Sequence, residues 1–266
     1  EDIAHTEIPL PEMAPDTGRK VAVVGSGPAG MLAAYDLRVK GHTVVMLEAE
    51  SEPGGALRWA IPAFRLPMDI LQVELNLLKA MGITIECGVK IGVDRSLDDL
   101  KADHDAVIVA TGCTQWATLD LPQEDLPQIY HGLPFLHDTR SGQVPEVGRR
   151  VVVIGGGNVA VDAAQTAIRL GAEEVTVACL ESATELPAFE WAVETALFEK
   201  IAFAYGWGPV QFQSEGAAVS GVEFQRCVQV QNESGAFAPR FAADDRMVLP
   251  ADTVIVAIGQ ASDTTR

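Results

Sequence analysis

Two short glycine-rich turns hold the residues of this chain best suited to chemistry. Residues 19–30 read RKVAVVGSGPAG and residues 149–160 read RRVVVIGGGNVA. Their small residues are spaced as G-x-G-x-x-G or G-x-G-x-x-A: Gly25, Gly27 and Gly30, then Gly155, Gly157 and Ala160. Such a turn lets a pyrophosphate approach the backbone, and the free N–H groups of the helix that follows attract its negative charge. The sequence therefore predicts two dinucleotide sites, at a first turn (residues 25–30) and a second turn (residues 155–160).

A carboxylate follows each turn near the end of the next apolar run. Glu48 lies in TVVMLEAE, about 20 residues past the first glycines, where an acid accepts the two hydroxyls of an adenosine ribose. Glu181 ends EVTVACLE, and we expect it to be the counterpart of Glu48. The alternative is that Glu181 only caps a loop in solvent.

The residues around Glu181 indicate which nicotinamide dinucleotide the second turn binds. The stretch after it, SATELPAFE, contains no Lys or Arg. A 2′-phosphate needs cationic partners, usually arginine, whereas a free 2′-hydroxyl donates well to a carboxylate. The sequence therefore predicts NAD(H) rather than NADP(H). It also predicts that Leu180→Arg combined with Glu181→Ala would raise the use of NADPH.

The elements that must position these residues are repeated as well. VAVV and VVVI are typical of buried parallel strands, and MLAAYDLRVKG and VAVDAAQTAIRLG predict helices that end at Gly41 and Gly171. DAVIVATG (105–112) is echoed by DTVIVAIG (252–259). A strand, glycine turn, helix and second strand in this order predict a Rossmann-like unit in each half. Residues 209–250 alternate apolar and polar residues around a NESG turn, which predicts an antiparallel β-meander.

Composition narrows the class of protein further. The formal charge of the 266 residues is 19 − 37 = −18, which disfavours nucleic acid as a partner. An acidic surface suits docking to a basic face of another protein, although it can also serve only solubility. Because no apolar run approaches the roughly 18 residues that span a bilayer, we predict no membrane segment.

Cysteine and histidine spacing argues against metal and disulfide chemistry. Cys87, Cys113, Cys179 and Cys227 are far apart in sequence, so the chain has no CxxC pair, zinc ribbon or iron–sulfur spacing. We predict no metal site, and reduced thiols in a cytoplasmic protein. The five histidines are equally scattered.

The stretch SEPGGALRWAIPAFRLP (51–67), called the family stretch below, resembles the E-P-G-G-x-L-R-x-x-I-P-x-F-R-L-P stretch of the glutamate synthase small (β) subunit family. Relatives include domains of dihydropyrimidine dehydrogenase and of bifurcating transhydrogenases. The resemblance extends over nearly all of residues 19–264. It implies FAD on the first turn and a nicotinamide dinucleotide on the second. The positions implied for FAD are Gly25, Ser26, Gly27, Pro28, Ala29, Gly30, Glu48, Ala49, Gly55, Ala56, Leu57, Arg65, Val89, Ala110, Thr111 and Gly112. Those implied for the nicotinamide dinucleotide are Gly155, Gly156, Gly157, Asn158, Val159, Glu181, Ala257, Ile258 and Gly259.

Two residues of the family stretch also have interpretations that involve no cofactor. Arg65 can simply pair with a surface acid, and Trp59 can pack against its loop rather than stack near a flavin. NADPH-using members of the family carry basic residues at the positions of Leu180 and Glu181, which agrees with the prediction of NAD(H).

The resemblance also implies a domain organisation. The fold class is α/β, with two Rossmann-like domains, the second inserted in the first, and a small antiparallel meander. We expect an extended arm at 1–18, an FAD domain at 19–118, a linker at 119–145, an NAD domain at 146–260 and a return crossing at 261–266. By the same resemblance, an iron–sulfur domain would precede the arm, and a segment completing the FAD pocket would follow Arg266.

The expected function is electron transfer between NAD(H) and an iron–sulfur or metalloenzyme partner in a hetero-oligomer. An aldehyde oxidoreductase complex is one example of such a partner. Hydride transfer between nicotinamide and flavin needs no protein acid or base, so we predict no catalytic residue. Two alternatives remain: a glutamate synthase small subunit using NAD(P)H, and a flavin-bearing scaffold subunit without turnover.

Overall fold

The computed structural model describes residues 8–263, in which the chain forms two compact units. The first unit runs to Thr114 and resumes at Ser262, and the second spans Gln115–Ala261. Each unit contains a parallel β-sheet of its own with helices packed against it. The fold is therefore α/β, as the sequence predicted.

The first unit is built on a four-stranded parallel sheet. Its elements are β1 (Lys20–Val24), α1 (Pro28–Val39), β2 (Thr43–Glu48), α2 (Ala56–Trp59), α3 (Met68–Ala80), β3 (Thr84–Cys87), α4 (Leu97–Asp103) and β4 (Ala106–Val109). The strand order is β3-β2-β1-β4, with every neighbouring pair parallel. Residues 21–24 of β1 are all buried, because helices and loops cover both faces of this central strand. Helix α3 buries Leu71, Leu75 and Leu78 against β2 in one apolar cluster.

The second unit contains a five-stranded parallel sheet. Its elements are β5 (Gln115–Trp116), β6 (Ile129–His131), α5 (Gly132–Ser141), β7 (Arg150–Ile154), α6 (Asn158–Arg169), β8 (Glu174–Cys179), α7 (Glu190–Phe198), β9 (Ala202–Tyr205), β10 (Trp207–Glu215), β11 (Ala218–Gln231), β12 (Phe237–Pro250), β13 (Thr253–Val256) and β14 (Gln260–Ala261). The order β6-β13-β7-β8-β9 puts β7 at the centre. Helix α6 lies between α5 and α7 and is buried continuously from Ala160 to Ala167, which explains its many alanines.

A three-stranded antiparallel sheet covers the other face of the second parallel sheet. Strands β10, β11 and β12 pair in that order, and the β11–β12 turn falls at the NESG sequence. There the Asn232 side chain accepts backbone N–H bonds from Ser234 and Ala236. Phe212 and Phe224 of this sheet pack in one cluster with Ile154 and other residues of the parallel sheet.

An ion pair closes the amino end of each parallel sheet in the same way. In the first unit Asp105 accepts from Lys20 N (2.8 Å) and Arg19 Nη1 (2.6 Å). In the second, Asp252 accepts from Arg150 N (2.9 Å) and from the Arg150 guanidinium. The basic pair and the aspartate of the internal repeat are thus one structural feature, which joins the start of one strand to its neighbour.

The structure departs from the expected linker, and it shows where part of the expected arm lies. Residues 119–145, expected to be a linker, contain β6 and α5, and β6 pairs with β13 in the second sheet. The expectation failed because this stretch is short and only weakly periodic. The expected arm was residues 1–18, of which residues 1–7 lie outside the described part of the chain. Residues 8–18 have no helix or strand, but Ala14 N donates to Val39 O (2.8 Å), so part of the arm lies against the end of α1.

Between residues 8 and 263, none of the helices has the length and the apolar character needed to cross a lipid bilayer.

Candidate functional site

The first and second turns have the same backbone geometry. Gly25 N donates to Leu47 O (2.8 Å), and Gly155 N donates to Ala178 O (2.9 Å). Both glycines have positive φ, of 102° and 137°. A Cβ at Gly25 would collide with the carbonyl oxygen of Ala110, and one at Gly155 with that of Ala257. Only glycine fits either position, for two independent reasons.

The second small position is alike in the two turns, whereas the third differs. Gly27 and Gly157 are the residues before α1 and α6, and no other atom comes within 3.9 Å of where their Cβ would be. The space over both helix starts is therefore open to a phosphate. A Cβ at Gly30 would collide with Gly25 O, whereas Ala160 is accommodated in the second turn. Pro28 and Ala29 are the first helical residues of α1, where the missing N–H of proline costs nothing.

Glu48 ties the end of β2 to the first turn. Its Oε2 accepts from Ser26 N (3.0 Å) and from the Ser26 hydroxyl, and its Oε1 accepts from Glu50 N (2.9 Å). Ser26 Oγ in turn accepts from Gly54 N (2.9 Å). Glu48 as a whole is 7% exposed, so little of its surface is open to a ligand. Its role as a brace of the turn was not predicted from sequence.

The family stretch meets the first turn through Gly55. A Cβ at Gly55, whose φ is 52°, would be 2.7 Å from Gly27 Cα. Ala56 and Leu57 follow in α2, exposed and half-buried. The buried arginine of this loop is Arg58, which donates to Pro53 O (2.7 Å) and pairs with Glu52 (2.8 Å). Arg65 is half-buried in the loop before α3.

The other residues predicted for FAD lie at the carboxyl ends of β2, β3 and β4. Val89 N donates to Glu48 O (2.8 Å). An adenine that hydrogen-bonds to the Val89 backbone would therefore have to donate to the Val89 carbonyl. Ala110 N donates to Val24 O (2.8 Å). Thr111 and Gly112 follow in exposed chain, and Ala49 is exposed next to Glu48.

Gly156 is enclosed by the segment that follows β8. A Cβ there would be 2.8 Å from Glu181 Oε2, 3.0 Å from Leu186 Cδ2 and 3.3 Å from Cys179 Cβ. Ala188 N also donates to Gly156 O (3.1 Å). Residues 179–188 therefore form a wall beside the second turn.

Register shows that Glu181 is not the backbone counterpart of Glu48. Leu47 and Ala178 bind the first glycine of each turn, so Cys179 occupies the position that corresponds to Glu48. Glu181 lies two residues further on, beyond the end of β8, and its carboxylate reaches back to Gly156. Glu48 lies seven residues after Gly41, whereas Glu181 lies ten after Gly171, and one extra residue before β8 accounts for only part of this difference. Counting from the two glycines would have shown in the sequence that the two acids are not counterparts.

Leu180 faces away from the second turn. Its Cδ2 would be 2.8 Å from a Cβ at Gly208, on β10. The Leu180 side chain therefore points away from the expected ribose position, which argues against a gain from the Leu180→Arg part of the predicted double substitution. Successive side chains near a strand end point to opposite faces, so Cys179 and Glu181 share the face that Leu180 leaves.

The remaining predicted residues of the second site lie at the start of α6 and after β13. Asn158 and Val159 begin α6, and Asn158 Oδ1 accepts from Phe189 N (3.0 Å). Ala257 N donates to Ile154 O (2.8 Å), and Ile258 and Gly259 follow it in exposed chain. Gly132 was missed from the sequence: a Cβ there would be 3.0 Å from both Val159 and Ala257 side chains.

Arg226 is the second residue that the sequence did not reveal. It lies on β11, and Nη1 donates to Tyr205 O (3.1 Å) while the guanidinium stacks 4.0 Å from the Trp207 ring. Its Nε also contacts Asp245 (3.3 Å). Tyr205 precedes Gly206, whose N–H donates to Glu181 O (3.0 Å). Folding thus brings a cation close to the end of β8, where the local sequence has none.

The thiols near these turns are poorly suited to redox chemistry. Burial and the Glu181 carboxylate raise the pKa of Cys179 to about 12. Burial also raises the pKa of Cys87, and all four cysteines are free. Within residues 8–263, no three His, Cys, Asp or Glu side chains are grouped as metal ligands.

Comparison with known proteins shows the family. Residues 19–266 match the family model described as pyridine nucleotide-disulphide oxidoreductase. The chain is 37% identical over 254 residues to the NADP(+)-dependent formate dehydrogenase subunit beta of Moorella thermoacetica, covering 93% of this chain and 36% of that one. It is 34% identical over 256 residues to the glutamate synthase [NADPH] small chain of Escherichia coli, covering 91% and 54%. The predicted family resemblance is confirmed.

The fold is also similar to that of a solved structure. Mycobacterium tuberculosis FprA in complex with NADPH superposes with a TM-score of 0.79 at 20% identity, over 93% of this chain and 71% of that one. At this identity the likeness shows the fold alone. The chain spans about a third to a half of the length of the two relatives above.

Proposed function

The chain belongs to the pyridine nucleotide-disulphide oxidoreductase family, and from that premise we propose that it is a flavoprotein module exchanging hydride between a nicotinamide dinucleotide and FAD. The duplicated glycine turn carries the proposal. Both copies leave open space over the start of a helix, and both meet a neighbouring carbonyl so closely that only glycine fits. One chain with two such turns can hold two dinucleotides.

FAD is assigned to the first turn. The backbone of residues 25–30 and the start of α1 would hold the pyrophosphate, and Glu48, already oriented by Ser26, would accept from the ribose. Gly55 would let the family stretch approach the same turn. When bound, a flavin supplies the ring that accepts or returns a hydride.

The nicotinamide dinucleotide is assigned to the second turn. The start of α6 would face its pyrophosphate, and Glu181 would contact the adenosine ribose beside Gly156. The segment after β13, Ala257–Gly259, would lie toward the nicotinamide half. No side chain needs to donate or accept a proton, because hydride transfer depends on the orientation of the two rings and on the exclusion of water.

The test is anaerobic reduction of the flavin. The protein reconstituted with FAD should lose its visible flavin absorbance when NADH is added, and Gly157→Asp should slow this loss because the new carboxylate would repel the pyrophosphate. Ala217→Asp, at an exposed position between β10 and β11 and outside both glycine turns, is the matched control, because it adds the same charge without a positive-φ strain. A bound flavin whose spectrum NADH leaves unchanged would support the scaffold alternative instead.

We favour NAD(H) over NADP(H) because a carboxylate lies beside Gly156 at the expected ribose position. The names of the relatives above point to NADP(H) in those proteins. Among residues 8–263, Arg226 is the cation best placed to accommodate a 2′-phosphate. The relative strength of the Glu181 and Arg226 interactions with the adenosine ribose therefore sets the preference between NAD(H) and NADP(H).

We also propose that the chain works in a cytoplasmic hetero-oligomer with an iron–sulfur or metalloenzyme partner. Free thiols suit a reducing compartment, and four separated cysteines offer no dithiol to receive electrons. An acidic chain suits a basic docking face. The relatives named as a subunit and a small chain support this assembly, and a glutamate synthase small subunit remains the second candidate. We further propose that the second Rossmann-like domain is inserted in the first, which the return of the first unit at Ser262 supports.

A further inference from the structure

Two aromatic rings stand exposed at the start of α7. The Phe189 and Trp191 side chains belong to residues that are 56% and 52% exposed. Their ring centroids are 6.1 Å apart and their planes differ by 20°, so the rings are nearly parallel. Large exposed apolar surfaces of this kind commonly mark a binding site.

Hydrogen bonds attach the segment that carries Phe189 to the second turn. Ala188 N donates to Gly156 O (3.1 Å), and Phe189 N donates to Asn158 Oδ1 (3.0 Å). Leu186 Cδ2 would be 3.0 Å from a Cβ at Gly156. Asn158 is thus a positioning residue: its side chain fixes the backbone from which the Phe189 ring emerges.

We propose that Phe189 and Trp191 form a stacking subsite for the adenine of a dinucleotide whose pyrophosphate lies on the second turn. This rests on the proposed function only in requiring that the second turn binds a dinucleotide. Aromatic side chains bind any nucleobase through its flat face, whatever its hydrogen-bonding edge.

Topology selects adenine rather than nicotinamide. In the sheet order β6-β13-β7-β8-β9, the strands β8 and β13 lie on opposite sides of β7. Glu181 and the segment leading to Phe189 follow β8, whereas Ala257–Gly259 follow β13. A dinucleotide centred on the end of β7 extends toward both sides, and its ribose acid marks the adenosine half.

The experiment measures binding of ADP-ribose, which contains adenine and the pyrophosphate but no nicotinamide. Phe189→Leu keeps an apolar side chain but removes the ring, and should raise the Kd for ADP-ribose roughly tenfold. Phe189→Trp, which keeps an aromatic ring, should bind ADP-ribose with a Kd close to that of the wild type. Phe198→Leu, at the far end of α7 where residue 198 is 88% exposed, is the matched control and should leave the Kd unchanged. ADP-ribose should also quench part of the tryptophan fluorescence, and this quenching should be absent in Trp191→Phe.

Reduced nicotinamide mononucleotide separates the two halves of the ligand. Its Kd should not change in Phe189→Leu, and an equal loss for both ligands would overturn the assignment to adenine. Unchanged ADP-ribose binding in Phe189→Leu would overturn the subsite, and would leave the proposed function intact if NADH still reduces the flavin. If the wild-type protein binds neither ligand, the second turn is not a dinucleotide site and both proposals fail.

Discussion

At the scale of single residues, the two acids near the turns do different work. Glu48 is 7% exposed and braces the first turn through Ser26, while Glu181 reaches Gly156 from beyond its strand. Among residues 8–263, no hydrogen bond to the Glu181 carboxylate is found, so it keeps its full capacity for a ligand hydroxyl. Its effect should therefore appear in ligand choice rather than in folding.

Replacing Glu181 by Gln should shift the Kd ratio of NADPH to NADH by roughly tenfold toward NADPH, because it removes an anion from beside a 2′-phosphate. Adding Arg226→Gln should take away much of that gain, since the Arg226 guanidinium binds the carbonyl of Tyr205, which pairs with Cys179 at the end of β8. Titration of both nucleotides against the FAD-loaded protein measures the ratio.

Glu194→Gln, on the exposed side of α7, is the control for lost charge alone. An unchanged ratio in Glu181→Gln would mean that this carboxylate does not contact the ribose.

At the scale of elements, the repeated aspartate explains how β4 and β13 are held beside β1 and β7. Hydrogen bonds from the Arg150 side chain and backbone, together with its positive charge, hold the pKa of Asp252 below its ordinary value of 3.8. A carboxyl whose pKa is lowered in the folded state stabilises the fold fully above its unfolded pKa, and this contribution is lost as the pH falls through the lowered folded pKa. The ion pair is partly exposed, so its contribution is modest.

Asp252→Asn should lower the midpoint of thermal unfolding by a few degrees near neutral pH, because the charge opposite Arg150 is lost. The difference from wild type should shrink once the pH falls below the ordinary value of 3.8, and it should vanish only below the lowered pKa that Asp252 has in the folded protein. Thermal unfolding followed by circular dichroism over a pH series measures this.

Asp244→Asn, an exposed residue of β12, should show no such pH-dependent difference. A constant offset of Asp252→Asn at every pH would mean that packing, not charge, is responsible.

At the scale of the whole molecule, the net charge of −18 should govern which proteins accept its electrons. NADH-driven reduction of a basic haem protein should slow as salt is raised from low to physiological ionic strength, because screening weakens the attraction over about 10 Å. Reduction of ferricyanide, a small anion, should instead quicken or stay constant.

Stopped-flow rates at several salt concentrations test this, and potassium and sodium chloride should act alike if screening is the cause. Equal salt dependence for both acceptors would argue against electrostatic docking.

Residues close together in the sequence were enough to predict the local features of both turns. Glycine spacing, buried strands and the repeat predicted the elements and the positions at Gly25 and Gly155, because tight turns and strand patterns depend on neighbouring residues. The family stretch at 51–67 identified the family for the same reason: its information is contiguous.

The tertiary structure was needed to show which residues meet across long sequence distances. It put Cys179 rather than Glu181 in register with Glu48, turned Leu180 away from the turn, and placed β6 in the second sheet. It also brought Arg226 of β11 beside the end of β9. These outcomes depend on strand register and side-chain direction, and both are set by packing between elements rather than by adjacent residues.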